Sequence, residues 1–399
     1  MRFSTRTNWN TEESELARAH RLRKAAGQPI ADLTASNPTR CGFTYPASLL
    51  TALAHPQALD YDPQPLGLLN ARQAVCAYYQ SHGVALDPRQ ILLTTSTSEA
   101  YSFLFRLLCD PTSEIVVLQP GYPLFDFLAC LDDVRLKASP LLYDHGWQID
   151  AEAIRQAITP QTRAIVVVNP NNPTGHFTKP WEAAELAGLC REFELSLIVD
   201  EVFLDYSFAK SGKTFAAGLA GVPVFVVSGL SKIAGLPQMK AAWIVATAPE
   251  LDPGLEAAIA RLEVIADTFL SMNAPVQWAM PSWLESRAAI QSQIRSRVAN
   301  NLAALDRKLP ALPAVQRLAV EAGWYALLRI PALQPDERTV LQLLEQGVWV
   351  HPGYFFGLPE SGWLVVSLLA AELEFSYGLD LLINHFRKHQ TSNTEEGSI

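Results

Sequence analysis

The sequence predicts an α/β fold, with a large domain built on a mainly parallel sheet flanked by helices and a second, smaller α/β domain. Three observations carry this expectation. Short apolar runs recur at 91–93, 114–118, 164–168, 195–199, 222–227 and 241–245, each followed by a turn-rich loop, and helical stretches such as 101–108 and 181–193 alternate with them. Several runs are β-branched and nearly continuous, the pattern of parallel strands buried on both faces. Beyond them, a long, mostly Pro-free helical pattern over about 282–309 leads to shorter strand-like pieces at 324–330, 348–350 and 363–368 and a last helix, which reads as the smaller unit joined by a long helix.

Taken in order, the chain opens with a helix. Asn10 is the expected cap, with Glu13 three residues on as in a capping box. Leu16, Ala19, Leu22 and Ala26 keep helical spacing, and Gly27 supplies the stop. Residues 30–46 read as extended chain or loop, and the polar tail 390–399 is expected to fray.

Composition narrows the function. Over 399 residues, 49% apolar and 18% charged types allow a sizeable core and exclude intrinsic disorder. The net charge of −9 gives no general attraction to nucleic acid or to an anionic membrane surface. Five dispersed cysteines without a CxxC pair argue against a zinc module or disulfide scaffold and suit a reducing compartment. No run approaches the length of a membrane span, and the polar N-terminus shows no apolar leader core, so a cytoplasmic protein with no metal is expected.

In parallel sheets ligands sit beyond the carboxyl ends of the strands, so the loops there are where chemistry is sought. After 91–93 come Thr94 to Ala100, where Ser96 and Glu99 fit a capping box and the free amides and hydroxyls also suit a phosphate. After 114–118 the Pro120-Gly121 pair marks a sharp turn that either aims Tyr122 into the site or packs it as an ordinary core aromatic. After 164–168 the segment Asn169-Pro170-Asn171-Asn172-Pro173-Thr174-Gly175 is either an Asx-turn loop or an amide-lined ligand site. After 195–199 stand Asp200 and Glu201, acids that must find partners at a buried strand end. After 222–227 comes Ser228-Gly229-Leu230-Ser231-Lys232, whose lysine is a candidate nucleophile if burial depresses its pKa.

Phosphate donors, an aromatic, an amide, an acid and a lysine thus follow one another at five strand ends. This order, with NPNNPTG at 169–175 and Ser231-Lys232 preceded by Asp200-Glu201, resembles the fold-type I pyridoxal-phosphate aminotransferases of class I/II, from Leu33 to about Leu369. The resemblance implies a large domain over 46–285 and a small domain from both chain ends, 1–45 and 286–399. It implies the cofactor pyridoxal 5'-phosphate, held as a Schiff base on Lys232, and transfer of an amino group from an amino acid to a 2-oxo acid through a pyridoxamine intermediate. Lys232 would then shuttle the substrate proton, Asp200 would pair with the ring nitrogen, Asn172 would bond the ring hydroxyl oxygen and Tyr122 would stack on the ring. Thr97, Ser98, Ser231 and Lys240 would hold the phosphate. Tyr61 would reach the phosphate of the other subunit, which implies a homodimer.

Two positions depart from the family pattern. Phe203 stands where a tyrosine commonly donates to the ring oxygen, so a more basic oxygen and a raised Schiff-base pKa are expected. Val365 stands where an arginine commonly clamps the substrate carboxylate, a change that is not conservative. Arg40, beside Asn37-Pro38, and Arg329 are the candidate replacements, Asn37 is a further substrate-side candidate, and His351 and Tyr354 are candidates for the same wall. The missing arginine keeps open an alternative: a pyridoxal-phosphate lyase, decarboxylase or cyclase of specialised biosynthesis. A regulator fusing this fold to a DNA-binding module is disfavoured, because only one helix and no basic helix-turn-helix precede Pro46.

Overall fold

The computed structural model describes residues 1–208, 212–248, 253–270 and 272–396, with side chains described as far as residue 388. All six apolar runs are strands of one eight-stranded sheet: Ile91–Thr94, Glu114–Gln119, Thr162–Val168, Ser196–Asp200, Val224–Gly229 and Ala242–Thr247. The central four, Glu114–Gln119, Thr162–Val168, Ser196–Asp200 and Val224–Gly229, pair in parallel in that order. Ala242–Thr247 runs antiparallel between Val224–Gly229 and Ile91–Thr94. Both faces are buried, as the continuous apolar runs predict. Val116, Ile165, Val167, Leu197, Val199 and Val226 enter one core, while Ile115, Val117, Val166, Ile198, Phe225 and Val227 enter the other.

Two strands of this sheet have no counterpart in the sequence reading. Arg135–Tyr143 pairs in parallel with Glu114–Gln119 and antiparallel with Trp147–Ile149. Charge, Pro140 and a mostly solvated surface give Arg135–Tyr143 the composition of chain near a sheet edge rather than of a buried strand.

The second sheet is antiparallel, in the order Gln316–Arg317, Tyr325–Arg329, Trp363–Ser367, His351–Pro352. Ala31–Asp32 from the N-terminal segment pairs with Val348–Trp349, so both chain ends build the smaller unit. The helix Ala274–Lys308 runs between the units and starts earlier than the expected 282, passing through Pro281. An interior proline costs about 3 kcal/mol. Full burial of a large apolar side chain contributes about 1.5–3 kcal/mol, and Met280 and Trp283, both fully buried beside it, offset that cost.

The first helix is Glu15–Ala25, and its cap is Ser14 rather than Asn10: the Ser14 hydroxyl accepts from the Ala17 amide at 3.2 Å. Asn10 instead closes its own turn by accepting from the Glu12 amide, and Glu13 pairs with Arg21. Glu372–Glu396 is one helix that takes in most of the tail expected to fray, and residues 397–399 lie outside the described residues. Among the described residues no helix is long and apolar enough to cross a membrane.

Candidate active site

Strand register gathers the predicted residues at one end of the large sheet. Asp200 is the last residue of Ser196–Asp200 and pairs with Val227, while Lys232 lies in the single helical turn Leu230–Ile233 that follows Val224–Gly229. Gly229 makes that turn possible, since a Cβ there would come within 2.8 Å of the Ala241 carbonyl oxygen. The Leu230 amide donates to the same carbonyl at 2.9 Å, which binds the Ser231-Lys232 turn to the start of the next strand.

Lys232 Nζ sits 4.9 Å from the ring of Trp324 and 5.6 Å from that of Phe203. These walls desolvate the amine and push its pKa down to about 8, against the attraction of Asp200. Asp200 is buried; its Oδ1 accepts from the Val202 amide at 3.0 Å and its Oδ2 from the Tyr101 hydroxyl at 3.1 Å. Burial raises its carboxyl pKa to about 6, and the Val202 amide, the Tyr101 hydroxyl and Lys232 oppose the rise. The pair therefore has the perturbed titration that marks a reactive site.

Glu201 plays a different part. It is fully buried, its Oε2 accepts from the Thr214 hydroxyl and its Oε1 from the Phe215 amide, both at 2.6 Å. Its carboxyl therefore serves the loop behind the sheet.

The phosphate candidates also converge. Ser96 caps the helix Thr97–Leu108 by accepting from the Glu99 amide at 3.1 Å. The expected capping box is half formed, because Glu99 accepts from the Thr95 amide rather than from that of Ser96. Thr97 and Ser98 occupy the first turn, where helix amides have no intrahelical acceptor. Thr94 pairs with Ala242, so Lys240, two residues before Ala242 and in a left-handed conformation, comes in beside the Ser96-Thr97 corner. The Leu230–Ala241 bond ties the turn that carries Ser231 to the start of the same strand, Ala242–Thr247. The cap satisfies the Glu99 amide and leaves the two preceding amides available, so capping does not compete with an anion here.

The asparagine loop separates its own two readings. Asn169 Oδ1 accepts from the Thr178 amide at 3.0 Å, and Asn171 Oδ1 accepts from the Thr174 hydroxyl at 2.8 Å. Those two side chains build the loop. Asn172 Oδ1 is buried and has no partner among the described residues, as a ligand-facing amide would be. Tyr122 is half-buried with its ring edge-on to Phe125, and burial raises its hydroxyl pKa to about 12. It lines a 250 Å³ cavity with Gln119, Tyr354 and Phe356, where the Gly121 amide donates to the Phe356 carbonyl at 2.9 Å.

The substrate-side candidates separate. Val365 is fully buried and pairs with both Leu327 and His351, so its neighbours across the sheet bring no guanidinium. His351 is largely buried, its Nδ1 has no partner among the described residues, and desolvation pushes its pKa down to about 4, leaving a neutral ring. Tyr354 lies in the turn Gly353–Phe356 with its ring edge-on to Phe355.

Arg329 corrects the sequence expectation. It ends the strand Tyr325–Arg329 over the Trp363 ring, roughly 16 Å along the strand from Trp324, which is the residue beside Lys232. The structure does not bring it to the site. Arg40 is exposed, and no ion pair is recorded for it with a described residue. Its segment passes the site: Ser36 bonds Tyr325, and the Tyr45 hydroxyl donates to the Gly235 carbonyl at 2.7 Å. The Asn37 carboxamide is used locally, capping the Pro38–Arg40 turn. Tyr61 is 82% exposed on the rim of a separate 240 Å³ hollow with Asp60, Met272 and Asn273.

Sequence reasoning missed Tyr101, Tyr206 and Trp324. Tyr101 follows Thr97 by four residues, a spacing that puts both on one helix face and that the sequence did contain. Tyr206, whose hydroxyl donates to the Lys232 carbonyl at 2.7 Å, and Trp324 come from loops that only the tertiary fold joins to the lysine.

The comparisons with known proteins agree with one another. Residues 44–374 match the family model of class I and II aminotransferases. Alanine aminotransferase of Mycobacterium tuberculosis (strain ATCC 25618 / H37Rv) is 26% identical over 377 residues, covering 90% of this chain and 86% of that protein. Glutamate-pyruvate aminotransferase AlaA of Escherichia coli (strain K12) is 28% identical over 357 residues, covering 86% and 87%. Among solved structures, alanine aminotransferase from Pyrococcus furiosus superposes with a TM-score of 0.88 at 23% identity, covering 97% of this chain and 100% of that one, a likeness of fold.

Proposed function

The chain belongs to the class I and II aminotransferases, and we propose that Lys232 is the amine that carries its cofactor. The enzyme transfers an amino group from an amino acid to a 2-oxo acid and uses pyridoxal 5'-phosphate. The alternative of a lyase, decarboxylase or cyclase finds no support among these relatives. The carrying observation is the Lys232–Asp200 arrangement: a desolvated amine at the end of one strand and a buried carboxylate at the end of its neighbour.

The residues present fit this cofactor. A partnerless buried amide oxygen on Asn172, a free helix N-terminus at Thr97 and Ser98, and an amine between two rings are groups without a mutual purpose in the bare protein. When bound, the cofactor supplies a ring that withdraws the electrons left as the substrate α-proton departs. Asp200 holds the proton on the ring nitrogen, and Tyr101 orients Asp200 through its hydroxyl. Thr97, Ser98, Ser231 and Lys240 hold the phosphate, with Lys240 acting as a point charge rather than a fork. Tyr122 covers one ring face. Lys232, once freed, moves the proton at the substrate α-carbon; an amine with a pKa near the working pH suits both directions of that transfer. Arg40 supplies the cation for the substrate carboxylate that Val365 cannot, with Asn37 shaping its turn. Two copies form a dimer in which Tyr61 of each reaches the other's phosphate, consistent with its exposure.

The alanine and glutamate–pyruvate aminotransferases among the relatives make alanine and glutamate the first donors to test. A single turnover with the true donor bleaches the visible band of the loaded enzyme and releases one equivalent of 2-oxo acid. A panel of amino acids in which none does so, on enzyme that carries its cofactor, contradicts the reading.

A further inference from the structure

Trp324 is one of the largest fully buried side chains of the protein, and its indole Nε1 has no hydrogen-bond partner among the described residues. A buried, unpaired N–H is rare in a native fold and asks for an explanation. Its position offers one. The ring meets Phe203 edge-on at 5.2 Å between centroids and Tyr206 at 4.9 Å, and Lys232 Nζ lies 4.9 Å from it. Tyr206 is committed to the Lys232 carbonyl and Phe203 has no polar atom, so Trp324 brings the spare donor of this aromatic cluster.

The segment that carries Trp324 is fixed to the large domain at several points. The Gly323 amide donates to the Tyr206 carbonyl, the Phe208 amide donates to the Glu321 carbonyl, and Glu321 pairs with Lys179 and accepts from the Phe177 amide. Gly175, at the end of the asparagine loop, packs so closely that a Cβ would lie 2.3 Å from the Ala322 carbonyl oxygen. The indole is therefore held against Lys232 by the same loop that presents Asn172.

The cofactor would bring a phenolic oxygen on the ring carbon adjacent to the one that bears its aldehyde, within reach of the nitrogen of Lys232. In a site walled by aromatic rings that oxygen holds negative charge only where donors surround it. We propose that the indole N–H of Trp324 donates a hydrogen bond to this oxygen, filling the place that a hydroxyl at position 203 would take. Trp324 is a positioning residue: it forms no bond to substrate and sets how tightly the oxygen retains the proton it shares with the Lys232 nitrogen. This revises the expectation drawn from Phe203 alone, since the missing hydroxyl is made good from the loop before the strand Tyr325–Arg329. The inference rests on Lys232 carrying the cofactor.

The test is a pH titration of the visible absorbance band in the full-length, cofactor-loaded protein, with borohydride trapping at Lys232 run on each sample. Trp324→Phe removes the donor and raises the titration midpoint by about one unit, the size of one charge-assisted hydrogen bond. Phe203→Tyr added to Trp324→Phe brings the midpoint back, while Phe203→Tyr alone moves it by much less, a non-additivity that a merely structural tryptophan does not produce. An unchanged midpoint in Trp324→Phe, with Lys232 trapped as in the parent, overturns the proposal and leaves the assignment of Lys232 standing. If Trp324→Phe does not fold, Phe203→Tyr decides alone: a fall of about one unit in the parent background means that the oxygen had no donor beyond Asn172 and overturns the proposal. Absence of any trapped adduct in the parent overturns the Lys232 assignment and this proposal with it.

Discussion

The two walls of the cleft are built differently. The large-domain wall is a row of strand ends and the loops and turns after them, each delivering one polar group whose environment is set by neighbours in register: Asp200 by Tyr101 and Val202, Lys232 by Asp200 and two rings. On the smaller unit the predicted substrate-side positions Val365 and His351 are apolar or uncharged. Val365 is fully buried, His351 beside it is held neutral, and the arginine on the neighbouring strand points its charge at Trp363 far from the lysine. On the proposed reading the parallel sheet holds the cofactor, and the antiparallel sheet with the loop at 35–45 would choose the substrate.

The sharpest break between the walls is at Lys232. Lys232→Ala should lower turnover at least about a thousandfold, since the variant loses its proton-transfer group, and should leave fold and thermal midpoint nearly intact. Asp200→Asn comes next: loss of the charge that holds the ring proton should cost roughly a hundred- to a thousandfold in kcat, measured on protein loaded with cofactor. Retention of near-parent activity by either variant would remove the large-domain wall from the chemistry.

The small-domain side should respond in binding rather than rate. Arg40→Ala should raise KM for the amino donor roughly ten- to a hundredfold with kcat changed little, the loss of one charged hydrogen-bonding partner. Arg329→Ala should leave KM within about twofold, as expected of a surface substitution. The reverse pattern would move the carboxylate to the far end of the strand.

The smallest effect is a pH dependence. An amine attacks only when neutral, and burial holds Lys232 near 8 rather than in the usual lysine range. The rate at which cofactor loads onto the bare protein should therefore rise with pH and level off above about 8. Asp200 charges near 6, and its carboxylate favours the ammonium, so ionisation of Asp200 holds the rise back toward 8 rather than starting it. A loading rate still climbing steeply toward pH 10 would mean an exposed, ordinary lysine.

Much of the first wall was legible in the sequence because each polar group lies within a few residues of an apolar run, and buried parallel strands write those runs plainly. Thr97, Asn172, Asp200 and Lys232 could be placed at one sheet edge from order alone. The strands Arg135–Tyr143 and Trp147–Ile149 were not legible, since solvated chain with a proline and charges carries no continuous apolar signal. Trp324 was hidden for another reason. It stands 92 residues beyond Lys232 in the sequence and meets it only because Glu321, Ala322 and Gly323 dock on the large domain. Arg329 failed because a strand separates its two ends by roughly 3.3 Å per residue, a distance the sequence does not display. Asn10 failed because Ser14, a cap of equal quality, lies closer to the apolar periodicity.

Reduction of the yellow protein with borohydride, followed by peptide mapping, examines the assignment on which the first wall depends. The mass of the reduced cofactor should appear on the peptide containing Lys232 and on no other. An unmodified Lys232 peptide, or the same mass on Lys213 or Lys240, would contradict it.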